Sequence, residues 1–278
     1  MRRSLLSTAL LASQILSASL ILLTSTLIST AAAQSGVDID VSRIELRASP
    51  GASVSTSVNV RHPSTVDTAA LKVKPYLRDL AVPVSGSQTF PAAGSTPNSL
   101  ARWIQVNPAN FTLDPGKTQT VRYTVSVPAG TAPGLYWGAL FFDAEAGKPA
   151  TKPGTTTINY QVDVGQIIYV QVGEGVFGGR MTEVAARMSG DTLDVNATIA
   201  NDGSTLIRAA GRAQVRDQQS GALVASVPID ESVALPGNRR TFAGQGKLAL
   251  PKGQYTVLIA MQYAPGKFFT GQTALEVK

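Results

Sequence analysis

The 278-residue chain has no cysteine and a single histidine, and only 15% of its residues are charged. Without cysteine there is no disulfide framework, no thiolate zinc site and no thiol nucleophile. Imidazole chemistry would fall to His62 alone, which stands directly before Pro63 in a polar, loop-like stretch. A Ser/His/Asp triad or a histidine general base is therefore not expected. Beyond residue 33 no apolar run is long enough to cross a bilayer as a helix. Nor does any stretch there hold a 3.6-residue apolar period over three turns, so amphipathic helices are not expected. Against these absences stand a 44% hydrophobic content, 25 glycines and 16 prolines, the composition of a folded chain rich in turns.

Residues 1–33 carry Arg2 and Arg3, a long run of apolar and small residues, and Ala31-Ala32-Ala33. This is the layout of a secretory signal, with cleavage expected before Gln34. The alternative is an uncleaved anchor, because the stretch 5–28 is longer than an ordinary signal core and nearly spans a bilayer. Removing the segment takes away two arginines and no acid, so 24 basic residues become 22 against 18 acidic ones and the formal charge falls from +6 to +4. The remaining basic residues are scattered. Nucleic-acid binding, which needs Lys and Arg gathered on one face, is not expected. The nearest groups are Arg239-Arg240 and Arg208/Arg212/Arg216, and the latter alternates with Ala and Val as the solvent side of a strand does.

From Val37 onward, short runs rich in Val, Ile, Thr and Tyr alternate with Gly, Pro, Asn, Asp and Ser at the spacing of an all-β sandwich. Strands are predicted over 37–46, 53–61, 118–127, 158–172, 192–200 and 254–263. A weak internal repeat divides them. In the first half Leu113-Asp114-Pro115-Gly116 leads into TQTVRYTVSV, and Gly134-Leu135-Tyr136 leads into WGALFF. In the second half Leu235-Pro236-Gly237 precedes RRTFAGQGKLAL, and Gly253-Gln254-Tyr255 leads into TVLIAMQY. In each half a Pro-Gly turn enters one strand and a Gly-x-Tyr bend enters the next, with an aromatic placed to close a corner of an immunoglobulin-like sandwich. The predicted fold is all-β: two tandem immunoglobulin-like sandwiches over 34–172 and 180–278, joined by a glycine-rich hinge at 173–179. The uncharged, turn-rich segments 82–99 and 147–157 are expected as surface loops.

Sites for catalysis are sparse. Asp38/Asp40, Asp143/Glu145 and Asp191/Asp194 are the local carboxylate pairs, and none has the ligand spacing of a calcium loop. They read as solvated strand or turn residues, and no metal, cofactor or enzymatic activity is expected. Trp103, Trp137, Phe141 and Phe142 alternate like core residues, although a carbohydrate platform is the other use of such a set. The segment 158–172 stands out. Ile158, Tyr160, Val162, Val164, Ile168, Val170 and Val172 fall on one face, interrupted by Gln166. A long alternating strand with a free edge can add itself to a partner; the plainer reading is an ordinary last strand of the first sandwich.

Val41-Ser42-Arg43-Ile44 followed by Pro50-Gly51, and Ile104-Gln105-Val106-Asn107-Pro108 with Phe111-Thr112-Leu113-Asp114-Pro115-Gly116 and Val121-Arg122, resemble two blocks of the periplasmic pilus-assembly chaperones, the PapD-like family. The resemblance covers the first half of the mature chain and extends to the second in outline. It implies a non-enzymatic exported protein of the periplasm or cell envelope that binds pilin-like subunits by strand addition. In that family a first-strand arginine and a lysine late in the first domain hold a subunit's terminal carboxylate, by charge-assisted hydrogen bonds. Arg43 matches the arginine. No lysine stands in Gly165-Gln166-Ile167-Ile168-Tyr169. The partner-binding residues expected are accordingly Arg43, Tyr160, Val162, Val164 and Ile168. The chain is also similar, in its order of turns, to surface proteins with paired immunoglobulin-like domains, which implies the alternative of an envelope adhesion or scaffold module binding wall polymer or surface proteins.

Overall fold

A computed structural model describes residues 36–63, 69–146 and 163–278. Those residues form sixteen strands. Nine belong to a first sandwich: β1 (Asp38–Ile39), β2 (Arg43–Ala48), β3 (Ser53–Arg61), β4 (Leu71–Arg78), β5 (Ile104–Asn107), β6 (Phe111–Leu113), β7 (Thr118–Ser126), β8 (Gly134–Ala146) and β9 (Val164–Val172). Seven belong to a second: β10 (Gly179–Ser189), β11 (Thr192–Asn201), β12 (Ile207–Asp217), β13 (Leu223–Ala234), β14 (Arg239–Lys247), β15 (Gly253–Ala264) and β16 (Lys267–Val277). The first sandwich faces a sheet ordered β1-β3-β7-β5 against one ordered β2-β9-β8-β4-β6; the second faces β10-β11-β14 against β13-β12-β15-β16.

Alternation puts every second side chain of each strand into one of two apolar cores. Val58, Val60, Val121, Tyr123, Val125, Leu140, Phe142, Ile168, Val170 and Val172 fill the first. Leu193, Val195, Ile199, Val215, Ile229, Phe242, Val257 and Ile259 fill the second. The repeated Gly-x-Tyr bends perform the same task in both. Tyr136 donates its hydroxyl to the carbonyl of Ala132 at 3.1 Å, and Tyr255 donates to that of Pro251 at 2.8 Å, each bond clamping the turn four residues upstream. The Pro-Gly turns place Gly116 and Gly237 in the left-handed region, at φ 71° and 73°, where a side chain would be strained.

One expectation is corrected by these strands. The segment 37–46 is not one strand: β1 pairs antiparallel with β3, whereas β2 pairs parallel with β9 in the opposite sheet. Residues 82–99 form a surface loop between β4 and β5, as expected, but one that is tied down. Ala81 and Thr89 exchange backbone bonds at 2.9 Å, and the Val84 carbonyl accepts the Thr241 amide of the second sandwich at 2.9 Å. The Arg240 guanidinium lies so close over Gly86 that a β-carbon there would overlap it. The loop 147–157 lies outside the described residues.

Behind this loop, a third apolar cluster joins the sandwiches: Leu80, Leu135, Trp137 and Tyr169 from the first close around Leu235 from the second. The Trp137 indole N–H donates to the Leu80 carbonyl at 2.8 Å. The connecting residues 173–178 are held as well. Val176 and Ser204 bond through N–H to Oγ at 2.9 Å and through C=O to N–H at 2.8 Å, and the Gly178 carbonyl accepts the Asp202 amide at 3.0 Å. Gly178 and Gly203 approach so closely that a β-carbon on either would meet the other's backbone at 2.5 Å.

The loop 82–99 returns to the sheet through one buried carboxylate. Asp79 is 0% exposed and accepts the Gly94 amide at 3.0 Å, the Thr96 amide at 2.7 Å and hydroxyl protons from Thr96, Ser95 and Ser99. Burial disfavours its charge, but the bonds from Ser99, Gly94 and Thr96 outweigh burial and hold the carboxyl below its usual pKa. A depressed folded pKa stabilises the fold above the unfolded value and loses that contribution as pH falls through the folded one. Asp79→Ala should therefore cost about 3 kcal/mol at neutral pH by leaving the loop donors unpaired. In denaturant unfolding the deficit should shrink as pH is lowered below the ordinary carboxylate range, because the wild type then loses the same term.

Candidate functional site

The sheet switch of the first strand shapes the most distinctive surface of the chain. β9 pairs with β8 along its whole length, from Phe142 opposite Val164 to Gly134 opposite Val172. β2 covers its other edge only from Arg43 opposite Ile167 to Ala48 opposite Val172. The first rung of that ladder is the Ile167 amide donating to the Ser42 carbonyl at 2.9 Å. Strand geometry points the N–H and C=O of Gly165 the same way as those of Ile167. No strand partner among the described residues pairs with Gly165 on that side, because the chain before Ser42 leads toward β1 and the other sheet, with the Asp40 amide already bonded to the Asn59 carbonyl at 3.2 Å.

The turn is pinned by Gln166, a buried polar residue on the inward face of β9. Its Oε1 accepts the Tyr123 hydroxyl at 2.6 Å and its Nε2 donates to the Val41 carbonyl at 2.9 Å. The glutamine that interrupts the apolar face of 158–172 in the sequence thus holds the point where the first strand changes sheets.

The expected partner-binding residues divide three ways. Arg43 stands at the end of β2 beside the open edge, its side chain 44% exposed and 3.6 Å from a Glu231 carboxylate oxygen of the second sandwich. Val164 is half-buried against the first core. Ile168 does not face a partner: it is completely buried in the first core, with both edges of its strand already paired. Its position in the period-two pattern is the cause, since Val164, Gln166, Ile168, Val170 and Val172 all point inward. Tyr160 and Val162 lie outside the described residues, as does the rest of 158–162.

Two features escaped the sequence reading. One is Arg208, expected on a wet sheet face. Its guanidinium reaches across to Glu45 of β2 and also donates to Glu231 at 2.7 Å, so that Arg43, Arg208, Glu45 and Glu231 form one alternating charge cluster between the sandwiches. Partial burial works against the Arg208 charge, but the bonds to Glu45 and Glu231 more than compensate and raise its pKa. A cleft of about 540 Å³, lined by Asp40, Val41, Ser42, Arg43, Glu45 and Arg208, opens beside the cluster. The other feature is aromatic. On the outward face of the sheet, Phe141 lies stacked on Tyr76 at 5.5 Å and meets Phe90 edge-on at 4.8 Å. Tyr76 donates to Asp163 at 2.7 Å; burial first, and that carboxylate second, push its hydroxyl up to about 12.

Asp38, Asp40 and Asp194 of the carboxylate pairs have partners within the fold. Asp38 bridges Arg61 at 2.9 Å, Asp40 accepts the backbone and side-chain N–H groups of Asn59, and Asp194 accepts Gln245 Nε2 at 2.6 Å. Asp143 and Glu145 sit opposite Lys74 and Lys72 on β4. Among the described residues no group of three or more His, Asp or Glu side chains is placed to hold a metal ion, and no helix is long and apolar enough to cross a membrane. Trp103 packs on the first core against Tyr136, at 4.6 Å between rings, while Trp137 belongs to the cluster joining the sandwiches.

Replacing Gln166 by Leu keeps the volume but strands the Tyr123 hydroxyl and the Val41 carbonyl in an apolar setting. Gln166→Leu should lower unfolding free energy by about 2 kcal/mol, measured by urea denaturation. Hydrogen exchange should rise at Ile167, the first rung beside the loosened turn.

No protein-family model and no curated protein matches the sequence. Solved structures do resemble it. One, described as a chaperone–tip adhesin complex for CFA/I fimbriae biogenesis, is 15% identical with a TM-score of 0.47, covering 86% of this chain and 98% of that one. The Salmonella enterica SafB chaperone in complex with SafA pilin is 13% identical with a TM-score of 0.42, over 87% and 96%. The Pseudomonas aeruginosa CupB2 chaperone is 10% identical with a TM-score of 0.41, over 86% and 100%. Identity this low bears on fold alone.

Proposed function

We propose that this chain is an exported, non-enzymatic chaperone that holds pilin-like subunits of a pilus or surface fibre by strand addition at the uncovered edge of β9. The observation carrying this reading is the vacant place opposite Gly165, where β2 stops and the backbone of β9 runs on without a partner among the described residues. An added strand would gain ladder hydrogen bonds there, the usual source of affinity in this mode of recognition. Arg43, at the end of the vacancy, supplies a cation for a partner's carboxylate, and Glu231 holds it in the unoccupied protein. Val164, with Tyr160 and Val162 before it, would extend the same edge. Residues 1–33 would direct the chain to the periplasm or cell envelope and be removed there, leaving sandwiches over 34–172 and 180–278 joined through 173–179.

Tagged protein purified from its native envelope should carry small β-rich exported subunits in near-equal amount. Arg43→Glu, a half-exposed substitution that leaves both cores intact, should reduce the captured subunit by about tenfold, with thermal unfolding unchanged. Recovery of wall polymer or surface-layer protein, at a level indifferent to Arg43, would instead mark an envelope scaffold and overturn the chaperone reading.

A further inference from the structure

The open edge of β9 and the aromatic pocket beside it, lined by Phe90, Phe141 and Gly165, belong to the first sandwich. The second sandwich has a surface of its own. On the outward face of the sheet β13-β12-β15-β16, a concavity of about 720 Å³ lies over β12, β15 and β16. Cross-strand registry sets Gln262 beside Phe268, Arg212 beside Ala260 and Gln214 beside Leu258, one pair to each of three rows roughly 7 Å apart. Register shifts at Ala209/Gly211 and at Gln262/Ala264 bend the strands at one end of this face. Phe268 is 52% exposed, its ring open to stacking. None of the lining residues is acidic, and Arg212 is the one charged residue among them. Its Nε donates to Ser226 Oγ at 3.0 Å, which fixes the guanidinium and leaves both terminal nitrogens without a partner among the described residues. No described carboxylate forms an ion pair with it. Gln214 is oriented by a bond from Arg216 to its Oε1 at 3.2 Å, while Gln262 and Gln272 are exposed with their amides unpaired among the described residues.

We propose that this face binds an acidic oligosaccharide, a chain of sugar units that bear carboxylates. Both flanks of β12 and of β15 are already paired, so this part of the sheet has no ladder bonds to give and recognition falls to side chains. An extended peptide is a poor match, because its own N–H and C=O groups would be desolvated here with no ladder to receive them. A sugar fits the groups present. Its hydroxyls donate and accept at once, as the glutamine amides do. Its C–H faces lie against Leu258, Ala260 and the Phe268 ring, and a ring carboxylate takes the free fork of Arg212 in bidentate fashion. Charge decides between acidic and neutral sugars: the cation stands in the middle row, held in place from one side, with no acid beside it to compete. The inference is independent of the strand-addition reading, and sugar held here would accompany captured subunits rather than replace them.

The test titrates the purified protein, by isothermal calorimetry, with α-linked tetragalacturonate and β-linked tetramannuronate, with maltotetraose and cellotetraose as their neutral counterparts, and with a tetraglutamate peptide. At least one uronate should bind about tenfold tighter than the neutral sugars and the peptide. Arg212→Gln should bring that uronate within about threefold of its neutral counterpart and leave the neutral sugar unchanged. Phe268→Ala should weaken the uronate about fivefold through the lost ring contact. Both positions are exposed, so thermal unfolding should stay the same in either variant. Arg43→Glu should leave uronate binding unchanged. Uronates that bind no better than neutral sugars, or a uronate preference that survives Arg212→Gln, would overturn the inference. Tetraglutamate binding as tightly as the uronate would overturn it in favour of an acidic peptide, and loss of uronate binding in Arg43→Glu would overturn it by placing the anion in the first sandwich. Subunit capture indifferent to Arg43, with uronate binding intact, would remove the strand-addition reading alone.

Discussion

One strand cannot cover two edges at once, and the first strand of this protein serves two sheets. Residues 38–39 complete the ladder of β3, residues 43–48 that of β9, and the turn between them is held by the Gln166 amide on the Val41 carbonyl. Because β2 begins only at Arg43, the sheet that contains β9 is closed from Ile167 onward and open before it. The boundary is sharp because it is enforced from inside: Gln166 is completely buried and has both ends of its amide engaged. The position of Arg43, the unpaired strand edge at Gly165 and the aromatic pocket beside it are all consequences of where the strand changes sides.

A second constraint fixes what surrounds that edge. Asp79 gathers residues 94–99 into a compact turn, and the preceding residues extend to the second sandwich, where Val84 meets Thr241 and Gly86 lies under Arg240. Phe90, which lines the pocket beside Gly165, is carried by the same segment. The loop thus links a buried carboxylate, an interdomain contact and a surface cavity within about twenty residues of chain, a density typical of long loops that have function.

Much of this was legible in the sequence, and the failures have definite causes. Strand periodicity located β3, β7 and β15 because each packs one face on a core and leaves the other to solvent, which produces alternation; β11 alternates only up to Asn196 and is buried on both faces beyond it. The paired Gly-x-Tyr bends were legible for the same reason: their geometry is local, and the tyrosine bonds a carbonyl only four residues away. Ile168 was misread because period alone separates two faces without saying which one is inside; a strand paired on both edges reads the same as an exposed one. The sheet switch at 40–42 left no trace, since Asp-Val-Ser alternates as a continuous strand would. Arg208 was unreadable because Glu231 comes from the neighbouring strand β13 and Glu45, remote in sequence, reaches it only where the two sandwiches meet. The 82–99 loop had composition enough to be named a turn-rich segment, but nothing in its small, uncharged residues announced the docking partner.

The ties between the sandwiches carry a thermodynamic implication of their own. Had the domains swung freely about 173–179, any ligand touching both would have to arrest that motion, and the lost entropy would be subtracted from its affinity. Here Gly178 already rests on Gly203, Leu235 is already seated among Trp137 and Tyr169, and the angle is set before anything arrives. Toward a guest that touched both sandwiches, such a surface would behave as a mould rather than a jaw: a guest that matched the preset angle would spend nothing on closing it, and one that did not would meet no bending to accommodate it. Selectivity between near-identical guests would then reside in shape at rest, and lengthening the glycine segment by even one residue would blunt it while both sandwiches stayed folded.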